Sequence, residues 1–177
     1  MIFVTVGTDQ HPFDRLVREV DRLREKRIVN EDVFIQIGSS RYKPKFCEFM
    51  EYLLFDQMVE KINEARIVIT HGGPGSIMPV VHHGKVPIVV SRQKKFGEAV
   101  DDHQISFAKK LEEKSQIIAA YNLKNLEEKI KNYEDIAQKL KCTEKESLSL
   151  DARVSNFAQA LDEICGKLIR EEKIAKT

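Results

Sequence analysis

The chain has 177 residues, 42% of them hydrophobic and 32% charged, with 29 Lys and Arg against 28 Asp and Glu. That length and composition suit one soluble globular domain with an added tail. The charge balance argues against a chain that coats nucleic acid through bulk charge, and no apolar run approaches the roughly 18–20 residues needed to span a bilayer. In chain order, Ile2-Phe3-Val4-Thr5-Val6 is β-branched and aromatic and predicts a buried strand broken by Gly7. No basic n-region precedes it, so no secretion signal is expected. Pro12 suits the first turn of a helix. Phe13, Leu16, Val17, Val20 and Leu23 then recur at three- and four-residue spacing among charged residues, as in a helix laid on a sheet.

Val33-Phe34-Ile35-Gln36-Ile37 reads as a second strand closed by Gly38, and a short apolar piece near Phe46–Met50 as a third. Leu54, Phe55, Met58, Val59 and Ile62 mark another helix. Arg66-Ile67-Val68-Ile69-Thr70 is a strand that runs into His71-Gly72-Gly73-Pro74-Gly75-Ser76, with a short helix after it up to Gly84. A strand at Pro87–Val90, a polar loop over Ser91–Asp102, a helix around Ile105, Phe107, Ala108 and Leu111, and a last strand at Gln116–Ala119 complete the pattern. Strands alternating with helices predict an α/β fold: a Rossmann-like parallel sheet with helices on both faces. That assigns residues 1–121 to the sheet domain. Residues 122–177 form a charge-dense but balanced helical extension. In it Phe157, Ala158, Leu161, Ile164, Cys165 and Leu168 make an apolar stripe, which packs either on its own domain or on a partner. The cysteines Cys47, Cys142 and Cys165 are odd in number and widely spaced, which fits reduced thiols and a cytoplasmic setting.

Glycines at strand ends carry the functional signal, because ligands of open parallel sheets sit outside the carboxyl ends of the strands. Gly7, Gly38, Gly72 and Gly73 all stand there. The loop from His71 to Ser76 joins a buried strand to a helix. With Gly75 or Ser76 as N-cap and Pro79 in the first turn, the free N–H groups and the helix dipole make an anion site. It matches neither the P-loop nor the dinucleotide fingerprint. A second cluster, Arg92-Gln93-Lys94-Lys95-Phe96-Gly97-Glu98 with Asp101-Asp102-His103-Gln104, also follows a strand and offers cations for phosphate and polar groups for sugar hydroxyls. His82 and His83 are adjacent and poorly placed to share an ion, and no metal-ligand spacing appears. His11, beside Asp9, reads as a base, a phosphate contact or a surface residue.

The segments Val4-Thr5-Val6-Gly7-Thr8, Phe13-Asp14-Arg15-Leu16, Thr70 to Ile77 and Asp102-His103-Gln104 together resemble the glycosyltransferase family 28 C-terminal domain over roughly residues 1–120. The likeness is strongest to stand-alone small subunits of two-subunit transferases, including the dolichol-pathway N-acetylglucosaminyltransferase and bacterial capsule and exopolysaccharide enzymes. It implies the donor-binding half of a GT-B enzyme that transfers a hexose from a UDP-sugar with inversion and uses no cofactor. It implies as partner a membrane-anchored, acceptor-binding subunit, and as acceptor a lipid-linked sugar at the inner face of the membrane. A homodimer is left open. By position, Gly7 and Thr8 would face the diphosphate, His71 to Ser76 would wrap phosphate and ribose, and Arg92 or Lys94 would steady the leaving group. Asp102, His103 and Gln104 would face the hexose. Some members carry a ribose-holding Glu where this chain has Pro79, with Glu98 as the candidate substitute.

Overall fold

The computed structural model describes residues 1–143 and, beyond them, Ser155, Ala158, Gln159, Leu161 and Asp162. Among these residues the strands are β1 (Ile2–Thr5), β2 (Val33–Gln36), β3 (Glu48–Met50), β4 (Ile67–His71), β5 (Ile88–Val90) and β6 (Ile118–Ala119). The helices are α1 (Asp14–Glu25), α2 (Phe55–Glu64), α3 (Pro74–His82), α4 (His103–Glu113), α5 (Leu126–Lys131) and α6 (Tyr133–Thr143). The strands form one sheet in the order β3-β2-β1-β4-β5-β6, and all five neighbouring pairs are parallel. This is the doubly wound Rossmann order, with its switch point between β1 and β4.

Alternation along the strands sends side chains to two cores. Ile2 and Val4, Val33 and Ile35, Ile67 and Ile69, and Ile88 face a cluster with Leu16, Val17, Val20 and Leu23 of α1. Phe3 and Val68 point the other way, onto Ile62 of α2 and Val80 of α3. Val89 and Ala119 join Ile77, Phe107, Ala108 and Leu111 on that second face. Helices therefore cover both faces, as the buried strands require.

Two details differ from the sequence reading. The N-cap of α3 is Gly73, with Pro74 as the first helical residue, rather than Gly75 or Ser76. Pro74 has the fixed φ that suits that first position. Pro79 consequently lies inside the helix, not in its first turn; it removes the N–H that would bond back four residues, a cost of about 3 kcal/mol. The His83 N–H still closes on the Pro79 carbonyl at 3.1 Å. The loop after β5 also contains a short 3-10 turn, Lys94–Phe96, ended by Gly97.

Part of the extension lies in the main core. Leu126, Ile130, Tyr133 and Ala137 from α5 and α6 are buried in the same cluster as β1 and α1. The Tyr133 hydroxyl donates to the Val86 carbonyl at 2.9 Å. Of the expected apolar stripe further on, Leu161 is half-buried against the α3–α4 cluster; Phe157, Ile164, Cys165 and Leu168 fall outside the described residues. Cys47 is half-buried, and burial followed by the nearby Asp21 pushes its thiol up to about 12, so it stays protonated.

Candidate functional site

A cavity of 460 Å³ opens at the carboxyl edge of the sheet, on the switch point. It is lined by Thr5, Gly7, Thr8, Asp9, Gln36, Leu53, Met58, His71, Gly75 and Ser76. Of the residues singled out in the sequence, Gly7, Thr8, His71, Gly75 and Ser76 meet here. Thr5, Asp9, Gln36, Leu53 and Met58 were not among those expected.

His71 organises the floor. It ends β4, and its ring sits between two glycines: a Cβ on either Gly7 or Gly73 would collide with it. Gly7 also has φ +79, a conformation open to glycine at little cost. The Gly73 N–H donates to His71 Nδ1 at 3.1 Å, and His71 Nε2 lies 2.8 Å from Ser76 Oγ. Burial, helped by the charge of Arg92, holds the imidazole down to about 4 against the opposing pull of Gln104 and Asp9. At neutral pH the ring is thus uncharged. Its Nδ1 is already an acceptor, so the proton resides on Nε2 and is donated to Ser76 Oγ. The Ser76 hydroxyl proton is then free for an oxygen in the cavity.

Gln36 organises the opposite wall. Its Nε2 donates to the carbonyls of Gly7 and Glu51, each at 3.0 Å. Its Oε1 accepts the Thr5 hydroxyl at 2.6 Å and the Gly7 N–H at 3.2 Å. Gly38, with φ +51, packs against the Gly7 carbonyl and does not line the cavity.

The second expected cluster takes a supporting position. Arg92 is only 1% exposed. Its Nη1 donates to the carbonyls of His11 (2.6 Å) and Glu98 (3.0 Å), and its Nη2 to that of Val6 (2.8 Å). Those bonds replace the expected direct phosphate contact, because the guanidinium is enclosed beneath the β1 loop. Glu98 is likewise turned inward, forked onto Arg15 at 2.8 Å through each carboxylate oxygen and accepting the Gln93 N–H at 3.0 Å. That placement removes it as a ribose contact. Gln104 is buried, its Oε1 accepting the N–H groups of Gly72 (3.2 Å) and Arg92 (3.3 Å). Through that oxygen it ties the end of β4 to the end of β5. Lys94 is exposed, its N–H bonded to Asp102 Oδ1 at 2.9 Å. His103 pairs with Asp101 at the surface. Phe96 is exposed with the Arg15 guanidinium over its ring, and nothing crowds Gly97. Among the described residues no three His, Cys, Asp or Glu side chains gather as metal ligands.

Residues 1–163 match the family described as glycosyltransferase family 28 C-terminal domain. The human UDP-N-acetylglucosamine transferase subunit ALG13 is 28% identical over 130 residues, which are 66% of this chain and 10% of that protein. The subunit of the same name from Yarrowia lipolytica is 32% identical over 65 residues, 37% of this chain and 31% of that protein. The chain therefore spans about a tenth of the human relative's length and under a third of the yeast one's. Among solved structures, Acinetobacter baumannii MurG superposes with a TM-score of 0.51 at 16% identity, over 88% of this chain and 49% of that one. This last likeness is one of fold.

Proposed function

The chain belongs to the glycosyltransferase family 28 C-terminal domain family, and from that premise we propose that it is the donor-binding subunit of an inverting, UDP-sugar-dependent hexosyltransferase. The observation that carries the reading is the cavity at the β1–β4 switch point, bounded by the Gly7 loop, the neutral His71 and the start of α3. A diphosphate there would take hydrogen bonds from the Ser76 hydroxyl and from the Gly75 backbone N–H at the positive end of α3. Those donors act on charge that grows on the leaving UDP as the acceptor hydroxyl attacks the anomeric carbon from the opposite face. No covalent enzyme intermediate and no cofactor enter this scheme.

The acceptor is a lipid-linked sugar in cell-surface polysaccharide synthesis, presented at the inner face of the membrane by an anchored partner subunit. An exposed apolar surface supports a partner. Beside the cavity, past Leu53 and Met58, lies a run of exposed apolar side chains on edge strand β3 and the start of α2. It includes Phe49, Met50, Leu54 (74% exposed) and Phe55 (65% exposed). A patch of that kind marks a surface that another molecule covers.

Titration calorimetry with UDP, UDP-galactose, UDP-glucuronic acid and UDP-N-acetylglucosamine tests the reading, with Ser76→Trp as the blocked control. Saturable binding lost in the variant is expected, and the ranking selects the sugar. Absence of binding both alone and with a co-expressed partner would overturn it.

A further inference from the structure

The loop between β1 and α1 carries a pair of side chains that binding of a UDP group leaves unexplained. The His11 Nδ1 lies 2.6 Å from Asp9 Oδ1, and the same oxygen accepts the His11 backbone N–H at 2.8 Å. Asp9 lines the cavity beside Gly7 and Thr8. Its carboxyl is held below the usual range, first by the His11 N–H, then by the imidazole and the charge of Arg92. An ionised Asp9 can only accept, so the neutral ring keeps its proton on Nδ1 and leaves the Nε2 lone pair free. The His11 side chain is 29% exposed, open enough to meet a second substrate.

A surface pair needs no such anchoring as this loop receives. One guanidinium, that of the enclosed Arg92, holds both ends of the loop through the carbonyls of Val6 and His11. Its ring partner is Phe13, at 4.9 Å, whose own N–H is held by Ser40 Oγ at 3.1 Å. Burying a cation to fix backbone carbonyls is costly. It is the kind of support that a reacting group needs to stay in register with its substrate.

We propose, resting on the donor-subunit reading above, that His11 is the general base of the transfer. Asp9 orients it and Arg92 acts as the positioning residue for its loop. The acceptor hydroxyl gives its proton to His11 Nε2 as its oxygen bonds to the anomeric carbon. The bond from that carbon to the β-phosphate oxygen breaks, and its electron pair leaves with UDP. The imidazolium so formed is stabilised by Asp9 until it loses the proton to solvent. The base of the reaction then lies on the donor half rather than on the acceptor-binding partner.

The full chain allows a direct test with water as acceptor: release of UDP from the best-bound of the three UDP-sugars, measured beside UDP affinity. His11→Ala should lower the release rate by about 100-fold or more and leave the UDP dissociation constant within about twofold, since no phosphate contact is lost. Asp9→Asn should fall between, and added imidazole should restore turnover to His11→Ala alone. Full turnover in His11→Ala would overturn the assignment. So would a parallel loss of UDP affinity, or a wild-type chain that binds UDP and releases none from any donor. A wild-type chain that fails to bind UDP both alone and with a co-expressed partner sinks the donor reading itself, and the base with it.

Discussion

Gln36 grips both polar groups of Gly7: its Nε2 donates to the Gly7 carbonyl at 3.0 Å while its Oε1 accepts the Gly7 N–H at 3.2 Å. The side-chain amide thus extends β2 past its last ladder bond and fixes the loop that closes the cavity. Gln36→Leu fills similar volume but leaves the Thr5 hydroxyl and the Gly7 and Glu51 carbonyls without their partner. Leaving buried polar groups unpaired costs about 1–3 kcal/mol. Urea unfolding should show a loss of that order, and UDP affinity should fall with it. An unchanged midpoint and affinity would show that water replaces the amide without consequence.

The three glycines of the loop before and within α3 are not equivalent. A Cβ on Gly73 would strike the His71 ring, and one on Gly72 would press on Gln104, whereas nothing lies within 4 Å of a Cβ on Gly75. Gly73→Ala should therefore displace His71 and abolish measurable UDP binding, with a melting temperature several degrees lower. Gly75→Ala, by contrast, should fold as well as the parent, because a helix interior favours Ala over Gly by about 1 kcal/mol. Side-by-side melting curves and UDP titrations of the two variants decide this. Equal behaviour would refute the packing argument.

His71 makes stability depend on pH in a defined window. Its folded pKa, about 4, lies below the ordinary imidazole value of about 6.5. Above 6.5 both folded and unfolded forms are neutral there and the group contributes nothing to the slope. As pH falls from about 6.5 towards about 4, the unfolded chain takes up a proton that the folded chain refuses, so stability declines. The whole interval corresponds to about 3 kcal/mol. His71→Asn does not titrate, so its stability should fall less over the same range. Parallel slopes for the two proteins would show that the imidazole is not held neutral.

Much of this architecture is legible in the residues. β1, β2, β4 and β5 are short β-branched runs ended by glycine or polar residues, and α1 and α2 show helical periodicity. These signals are local. The roles of Arg92, Glu98 and Gln104 were not legible, because their partners lie far off in sequence: Arg92 to Val6, Arg15 to Glu98, Gly72 to Gln104. A cationic loop after a strand looks alike whether its charges face a ligand or brace the backbone beneath one. Gln36 did carry a signal, since it is an amide at the end of an apolar strand. The start of α3 was misread because Pro79 resembles an N-terminal proline when Pro74 is taken as part of the turn.

Glu98 offers a clean separation of the bracing role from ligand contact. Its side chain is 4% exposed and forked on Arg15. Removing one partner of a buried pair costs about 3–5 kcal/mol. Because Arg15 reaches solvent, the lower end applies to Glu98→Ala. Chemical denaturation should record that loss. UDP and 2′-deoxy-UDP affinities measured where the variant is still folded should then change by the same factor. A selective loss of ribose-dependent affinity without loss of stability would restore Glu98 to the ligand.

The segment after β6 is part of the folding unit, and its removal tests this. Leu126, Ile130, Tyr133 and Ala137 close the cluster that α1 and the strands build, and Tyr133 donates to the Val86 carbonyl just ahead of β5. Tyr133→Phe keeps the ring and loses one hydrogen bond, leaving the Val86 carbonyl unpaired, at about 1 kcal/mol. A chain cut after residue 121 would expose Leu16, Val20 and their neighbours in that cluster together, and should be insoluble or fail to melt cooperatively. Cutting after residue 143 keeps the whole of that cluster and should preserve a cooperative transition and UDP binding. A soluble, cooperatively melting 1–121 fragment would show instead that the strands and α1 to α4 suffice, and that α5 and α6 only lie on a core already formed.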